Sequence, residues 1–243
     1  MVDIHCHILP EFDDGAASPD EAVAMAHMAC ETGVTAIVAT PHFPGKSSSL
    51  QRIPLLLERY EWLSRAVRAQ RLPLVIHPGA EILCLPETPA LAEKRALPTI
   101  GNTSYLLTEF FFDESFSKMD GYLRALADCG YIPVVAHPER YNAIQADPAL
   151  LKHWHERGYV LQLNKGSILG AFGPDPQAAA MAALETRLAG LIASDAHSAT
   201  RRTPNMNGLY QWLEENCDRE YAHLLTERNP ARLIAGRQIL RYL

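Results

Sequence analysis

Two histidines, His5 and His7, stand two residues apart in the β-forming run Val2 to Ile8. Side chains at i and i+2 of a strand share a face, so both imidazoles point the same way and can grip one ion. Near the other end of the chain Asp195 and His197 repeat that spacing with a carboxylate and an imidazole. Between the two pairs, His42, Glu81, Glu109 and His137 fall at or near the ends of further β-forming runs, and Asp13-Asp14-Gly15 follows the first. Asp-Gly is turn chemistry in its own right, yet a carboxylate there would face the same site. Imidazole and carboxylate donors without thiolate suit manganese, iron, zinc or magnesium, and Asp14, Glu81, Glu109 and Asp195 are numerous enough to bridge two or more ions. Such a centre makes water nucleophilic at neutral pH and clamps both oxygens of an in-line phosphoryl displacement. Arg140, three residues after His137, and Arg202, in the pair Arg201-Arg202 after His197, are the cations best placed to hold a phosphate.

These residues need a scaffold that brings distant strand ends together. Strands are expected at Val2 to Ile8, Ala36 to Thr40, Leu74 to Glu81, Tyr105 to Phe110, Ile132 to His137, Val160 to Asn164 and Leu191 to Asp195. Helical patterns alternate with them. One runs from Ser18 to Glu31, with Ser18 as N-cap and Glu21 completing a capping box, and others cover Ile53 to Ala69, Phe116 to Cys129 and Pro148 to Arg157. Three more are expected at Pro176 to Leu188, Met206 to Glu215 and Pro230 to Leu240. Regular βα alternation over 243 residues, with no long linker and no G-x-G-x-x-G after the first strand, favours one domain over residues 1–243. The expected architecture is α/β, a distorted (β/α)7 barrel. A barrel places all its strand ends on one face, where six of the seven would offer a ligand. Polar residues follow strands in any protein, because loops are solvated, but that habit does not explain so many histidines and acids.

Histidine placement supplies an internal control. His5, His7, His42, His137 and His197 sit at expected strand ends, whereas the other five of the ten do not. His153 and His155 lie on a helical stretch, where residues two apart face different ways and cannot chelate. His27 and His223 read as solvated helix positions, and His77, inside the third strand, as a hydrogen-bonded residue near the core.

Several function classes fall away. With 22 basic against 28 acidic side chains the net charge is -6, so no overall positive field attracts nucleic acid, although Lys46, Arg52, Arg201 and Arg202 are a local basic group. No apolar run approaches the roughly 18 residues that span a bilayer, and the N-terminus lacks a signal-peptide pattern, so a cytoplasmic protein without membrane insertion is expected. The five cysteines are scattered, without C-x-x-C, and read as free thiols. None has arginine six residues later, which excludes the cysteine-phosphatase loop, and Gly45-Lys46-Ser47 lacks the glycine at Thr40 that a Walker motif needs.

Taken together, Asp3-Ile4-His5-Cys6-His7, Asp13-Asp14-Gly15, Thr40-Pro41-His42, Gly79-Ala80-Glu81, Glu109-Phe110, Ala136-His137-Pro138-Glu139-Arg140 and Ala193-Ser194-Asp195-Ala196-His197 resemble the polymerase and histidinol phosphatase (PHP) superfamily. More narrowly, they resemble its CpsB/YwqE-type bacterial manganese-dependent protein-tyrosine phosphatases. The likeness runs from Met1 to the Asn229-Pro230 region. It implies a distorted seven-stranded barrel with three divalent ions, most often manganese. The carry-over gives His5, His7, Glu81 and Asp195 to the first ion, Glu81, Glu109 and His137 to the second, and Asp14, His42 and His197 to the third. Arg140 and Arg202 would hold the substrate phosphate. Glutamate rather than histidine at position 109 resembles the tyrosine phosphatase branch. Glu11-Phe12, where relatives often have glycine and an aliphatic residue, adds charge near the site mouth, and Cys6 should point away from the ligands.

The expected reaction is attack of a metal-activated hydroxide on phosphotyrosine. A phenol of pKa about 10 departs with little protonation. The implied partner is a bacterial tyrosine kinase of capsule or exopolysaccharide export. The rivals are a PHP phosphoesterase acting on a small phosphate such as histidinol phosphate or on nucleic-acid ends, and a non-catalytic metal-binding regulator.

Overall fold

The computed structural model describes residues 1–242, so Leu243, the last residue of the expected domain, lies outside the described residues. Nine short parallel strands alternate with helices: β1 (Val2–Cys6), β2 (Ala36–Ala39), β3 (His42–Pro44), β4 (Val75–Pro78) and β5 (Glu81–Leu83), then β6 (Tyr105–Glu109), β7 (Ile132–Ala136), β8 (Val160–Asn164) and β9 (Leu191–Ala193). They form two sheets, β1-β2-β4 and β3-β5-β6-β7-β8-β9.

The seven expected strands become nine because pairing resumes after a break at Pro41, beyond the expected end of the second, and after one at Gly79, near the expected end of the third. Pro41 has no amide proton to donate to a ladder, and its carbonyl instead accepts from Glu81 N at 3.0 Å. The third strand breaks after Pro78 at Gly79, where a side chain would meet Val38 at 2.7 Å. His42 and Glu81 therefore begin β3 and β5, rather than ending the strands before them, and they sit opposite each other in register.

The two sheets join along β1 and β9. Asp195 N donates to His5 O (2.9 Å) and His7 N to Ala196 O (2.8 Å). With β2 running into β3 and β4 into β5, the seven chain segments follow one another round a ring in sequence order, which is the expected distorted barrel.

Residues Val38, Leu107, Val134, Val160 and Leu191 fill the inside of this ring as a small apolar cluster, while a larger one lies between strands and helices. Ile4 belongs to the inner cluster, and so, by simple alternation, His5 should face outward. A bulge resolves the conflict. Asp3 pairs with Ile37 and Cys6 with Ala39, three steps on β1 against two on β2, and the extra residue lets Ile4 and His5 both turn inward. His7 then shares the His5 face, and Cys6 packs into the outer core, as the sequence predicts.

Helices Pro19–Glu31, Ile53–Ala69 and Phe116–Asp128 lie where the sequence places them. Ser18 Oγ accepts from Glu21 N (3.2 Å), and Glu21 reaches back to accept from Ala17 N (2.9 Å). The other Glu21 oxygen accepts from Ala199 N, tying this helix start to the loop after His197. The helices expected at Pro148, Pro176 and Met206 form at Leu150–Glu156, Pro174–Glu185 and Asn207–Asn216. The helix expected over Pro230 to Leu240 is shorter, Asn229–Ile234, because Gly236 adopts φ +65° and turns the chain away. Among the described residues no helix is long and apolar enough to cross a membrane.

Candidate metal centre

At one mouth of the ring the side chains His5, His7, Asp14, His42, Glu81, Glu109, His137, Asp195 and His197 converge with Arg140 and Arg202. Most of them, with both arginines, line a cavity of about 320 Å3. Three overlapping groups bring donor atoms within 4.8 Å of one another: His5, His7 and Glu81; His42, Glu81 and Glu109; His7, Asp14, His42 and His197. His137 Nε2 donates to Glu81 Oε1 at 2.9 Å, and Asp195 Oδ1 lies 3.5 Å from His5 Nε2.

The innermost group is fixed from behind. His5 Nδ1 donates to Gln162 Oε1 and His7 Nδ1 to Asp13 Oδ2, each at 2.7 Å. Both remaining Nε2 lone pairs then turn to the same spot, 3.2 Å apart, with Glu81 oxygens 3.3 Å from each. Fully buried ring nitrogens facing one another beside a carboxylate need positive charge between them, which a proton supplies without metal and a divalent ion supplies in its place. The arrangement therefore fits a divalent ion, with the second nitrogen of each imidazole anchored as metal-ligating histidines usually are. Glu81 Oε2 and His137 Nδ1 are also buried without a well-aligned hydrogen bond.

The electrostatics follow the same pattern. Burial pushes Glu81 up, but His5, His137 and His42 hold it well below the usual carboxylate range. Burial alone would lower His7, yet Asp13 and Glu81 raise it to about 9. His42, opposed by burial in the same way, is lifted by Glu109 and Glu81 to about 11. His197 goes the other way, to about 4, through burial and the neighbouring His7, which leaves its imidazole neutral.

Three residues of the site have strained backbones. His137 (φ 35°), Asp195 (φ 50°) and Arg202 (φ 40°) are non-glycine residues in the left-handed region, each costing on the order of 1–3 kcal/mol. The two arginines share one anchor. Asp195 Oδ2 accepts from Asn164 Nδ2 and pairs with Arg202 Nη2, and it lies 3.6 Å from Arg140 Nη1. The Arg140 guanidinium is stacked between Phe112 (4.5 Å) and Phe172 (4.4 Å), and Arg202 lies 5.7 Å from the Phe172 ring.

Residues outside the predicted set complete the support. Asp13 also accepts from His42 N (2.7 Å), so one carboxylate orients two histidine-bearing segments. The Asp-Asp-Gly turn was the available sequence signal, and Asp13 serves as the support while Asp14 reaches the cluster. Gln162 and Asn164 are polar in an otherwise apolar strand, which is also a readable sign of a buried role. Lys165 Nζ donates to the carbonyls of Thr203 and Asn205, holding the loop just after Arg202, and Asp3 accepts from Ser194 N at 3.0 Å beneath Asp195. Nothing local in the sequence predicts those long-range contacts.

The remaining histidines lie away from the cluster. His153 pairs with Asp120 and His155 with the Leu188 carbonyl, so that H-x-H does divide between two faces. His27 and His223 are exposed, and half-buried His77, whose pKa burial lowers, makes no side-chain hydrogen bond among the described residues, contrary to the sequence expectation.

Comparison with known proteins agrees with this geometry. A family model described as capsular polysaccharide synthesis, CpsB/CapC, matches residues 1–235. Tyrosine-protein phosphatase YwqE of Bacillus subtilis (strain 168) is 36% identical over 243 residues, covering 99% of this chain and 94% of its own length. Tyrosine-protein phosphatase CpsB of Streptococcus pneumoniae is 28% identical, covering 98% of this chain and all of its own length. A solved structure from work on those two proteins, described there as unique metal-dependent tyrosine phosphatases, superposes with a TM-score of 0.89 at 34% identity, covering 100% of this chain and 97% of that one. The chain belongs to the CpsB/CapC family of capsular polysaccharide synthesis proteins.

Proposed function

We propose that this chain, taken as one domain over residues 1–243, is a metal-dependent protein-tyrosine phosphatase. His5, His7, Asp14, His42, Glu81, Glu109, His137, Asp195 and His197 are its metal ligands, and Arg140 and Arg202 hold the phosphate. The observation that carries the proposal is the convergence of facing, buried donor atoms with two guanidiniums at one mouth. Three divalent ions, manganese foremost, are the proposed complement. When bound, they supply Lewis acidity that neutralises phosphate charge and makes water nucleophilic at neutral pH.

The protein's own groups do the rest. Glu81 presents its two oxygens to different imidazoles, Oε1 to His5 and His137 and Oε2 to His7 and His42, so it is the natural bridge between donor groups. Asp195 fixes the two guanidiniums through one oxygen, leaving their other N–H groups to meet the equatorial phosphoryl oxygens as charge builds. Both rings flanking Arg140 restrict its rotamers, so less entropy is lost when phosphate arrives. The leaving phenolate needs little help from an acid, having a pKa of about 10.

The proposed physiological substrate is the phosphotyrosine of a bacterial tyrosine kinase in capsule or exopolysaccharide export, met in the cytoplasm. The test is side-by-side turnover of a phosphotyrosine peptide, histidinol phosphate and a short oligonucleotide. Metal-stripped protein reconstituted with manganese is used, with a His5→Ala, His7→Ala variant as control. Peptide-selective turnover, lost in the variant, is expected. Preference for either other substrate would overturn the tyrosine assignment, and metal binding without turnover would favour a regulator.

A further inference from the structure

Six large apolar side chains are notably exposed among the described residues, and two of them are neighbours, Phe111 (53%) and Phe112 (44%). Both line the cavity that holds His42, Glu109, Arg140 and Arg202. Adjacent exposed phenylalanines at the mouth of a cavity form an apolar patch of the kind that marks a binding surface.

Their backbone is held, not loose. Phe112 O accepts from Asn142 N at 2.8 Å, Phe111 O accepts from Glu114 N at 3.0 Å, and Phe110 N donates to the Tyr141 hydroxyl. The first of these bonds ties the aromatic loop to the segment that carries Arg140. Phe112 then stacks on the Arg140 guanidinium, leaving Phe111 without an aromatic or cationic partner among the described residues. Rings presented on a fixed backbone, beside a cation that can meet a phosphate, match a ligand with a flat apolar body and an anionic end.

We propose that Phe111 and Phe112 form the aryl subsite of this centre, against which the phenyl ring of the substrate packs while its phosphate lies toward Arg140. The subsite sets a preference for aryl over alkyl phosphates. This inference rests on the tyrosine phosphatase reading and adds the residues that discriminate tyrosine from serine esters.

Phe111→Ala is the variant to make, because the side chain is exposed and the arginines stack on Phe112 and Phe172 instead. In manganese-loaded protein, kcat/KM is measured for one peptide carrying phosphotyrosine or phosphoserine. Binding of phenylphosphonate and methylphosphonate is measured beside it by calorimetry. The aryl-over-alkyl ratio is expected to fall about fivefold to tenfold in both assays, with the kinetic change mainly in KM, and Phe111→Tyr should restore it. An unchanged ratio, or equal losses on both substrates, would overturn the subsite while leaving the phosphatase standing. So would a concentration-dependent dimer of the wild type that Phe111→Ala abolishes with the ratio intact, since a second copy would then be the cover. A wild type that neither hydrolyses the phosphotyrosine peptide nor binds phenylphosphonate would overturn both readings.

Discussion

The inner and outer halves of the cluster are built differently. His5, His7 and Glu81 have no exposed surface, and both imidazoles are pinned from behind by Gln162 and Asp13. In the outer half the Asp14 side chain is 67% exposed and that of His42 36%, and Asp14 approaches its histidines only at 3.5 and 3.6 Å. A group preorganised in a dry site holds a cation without having to rearrange, whereas an exposed carboxylate trades water for the ion at little gain. In the proposed centre the inner group is therefore the permanent site and the outer one the exchangeable site.

The strongest way to break that contrast is Glu81→Ala. It removes the oxygens common to both halves, and phosphotyrosine turnover should fall to background. Arg202→Ala is expected to lower kcat by about 10²–10³-fold, as loss of a preorganised charge-stabilising donor does, with metal content unchanged. Asp13→Ala sharpens the comparison. Although not a proposed ligand, it orients His7 and the His42 segment, and its loss should cost about 10–100-fold in metal affinity or activity. Asp14→Ala, which removes a proposed but exposed ligand, should cost less than Asp13→Ala when manganese is in excess, and the reverse order would contradict the division. Metal content by elemental analysis and steady-state kinetics check all four.

The smallest effect concerns pH. Without metal, the acids of the cluster raise His7 to about 9 and His42 to about 11 from their usual 6.5, once burial is overcome. A raised folded pKa contributes stability that is complete below pH 6.5 and is lost as pH rises through the folded value. Thermal melts of chelator-treated protein should accordingly fall between pH 6.5 and 11. Manganese-loaded protein should resist that fall, because cation binding needs the deprotonated ligands and tightens as pH rises.

Much of this was readable from spacing alone. The spacing of His5/His7 and Asp195/His197 marks the right residues, although Asp195 and His197 lie past the end of β9 with Asp195 left-handed, so strand alternation is not what aims that pair. The parallel succession of strands and helices says where strand ends meet. The bulge in β1 was not readable, since alternation starting from Ile4 sends His5 the wrong way and only the pairing with β2 corrects it. Nor was the break at Pro41, although proline was its cause. Gln162 and Asn164 stand out as polar residues in an apolar strand, but their partners His5 and Asp195, like the contacts of Phe172 with Arg140 and Lys165 with Thr203, are created by tertiary packing and encoded by no local pattern.

The most direct test is a calorimetric titration of chelator-stripped protein with manganese, comparing the wild type with the His5→Ala, His7→Ala variant. More than one binding event is expected in the wild type, with the tightest missing from the variant and a weaker one, on the His42, Glu81 and Glu109 group that the substitutions leave intact, retained. A tight event that survives the double substitution, or a wild type that binds no manganese, would contradict it.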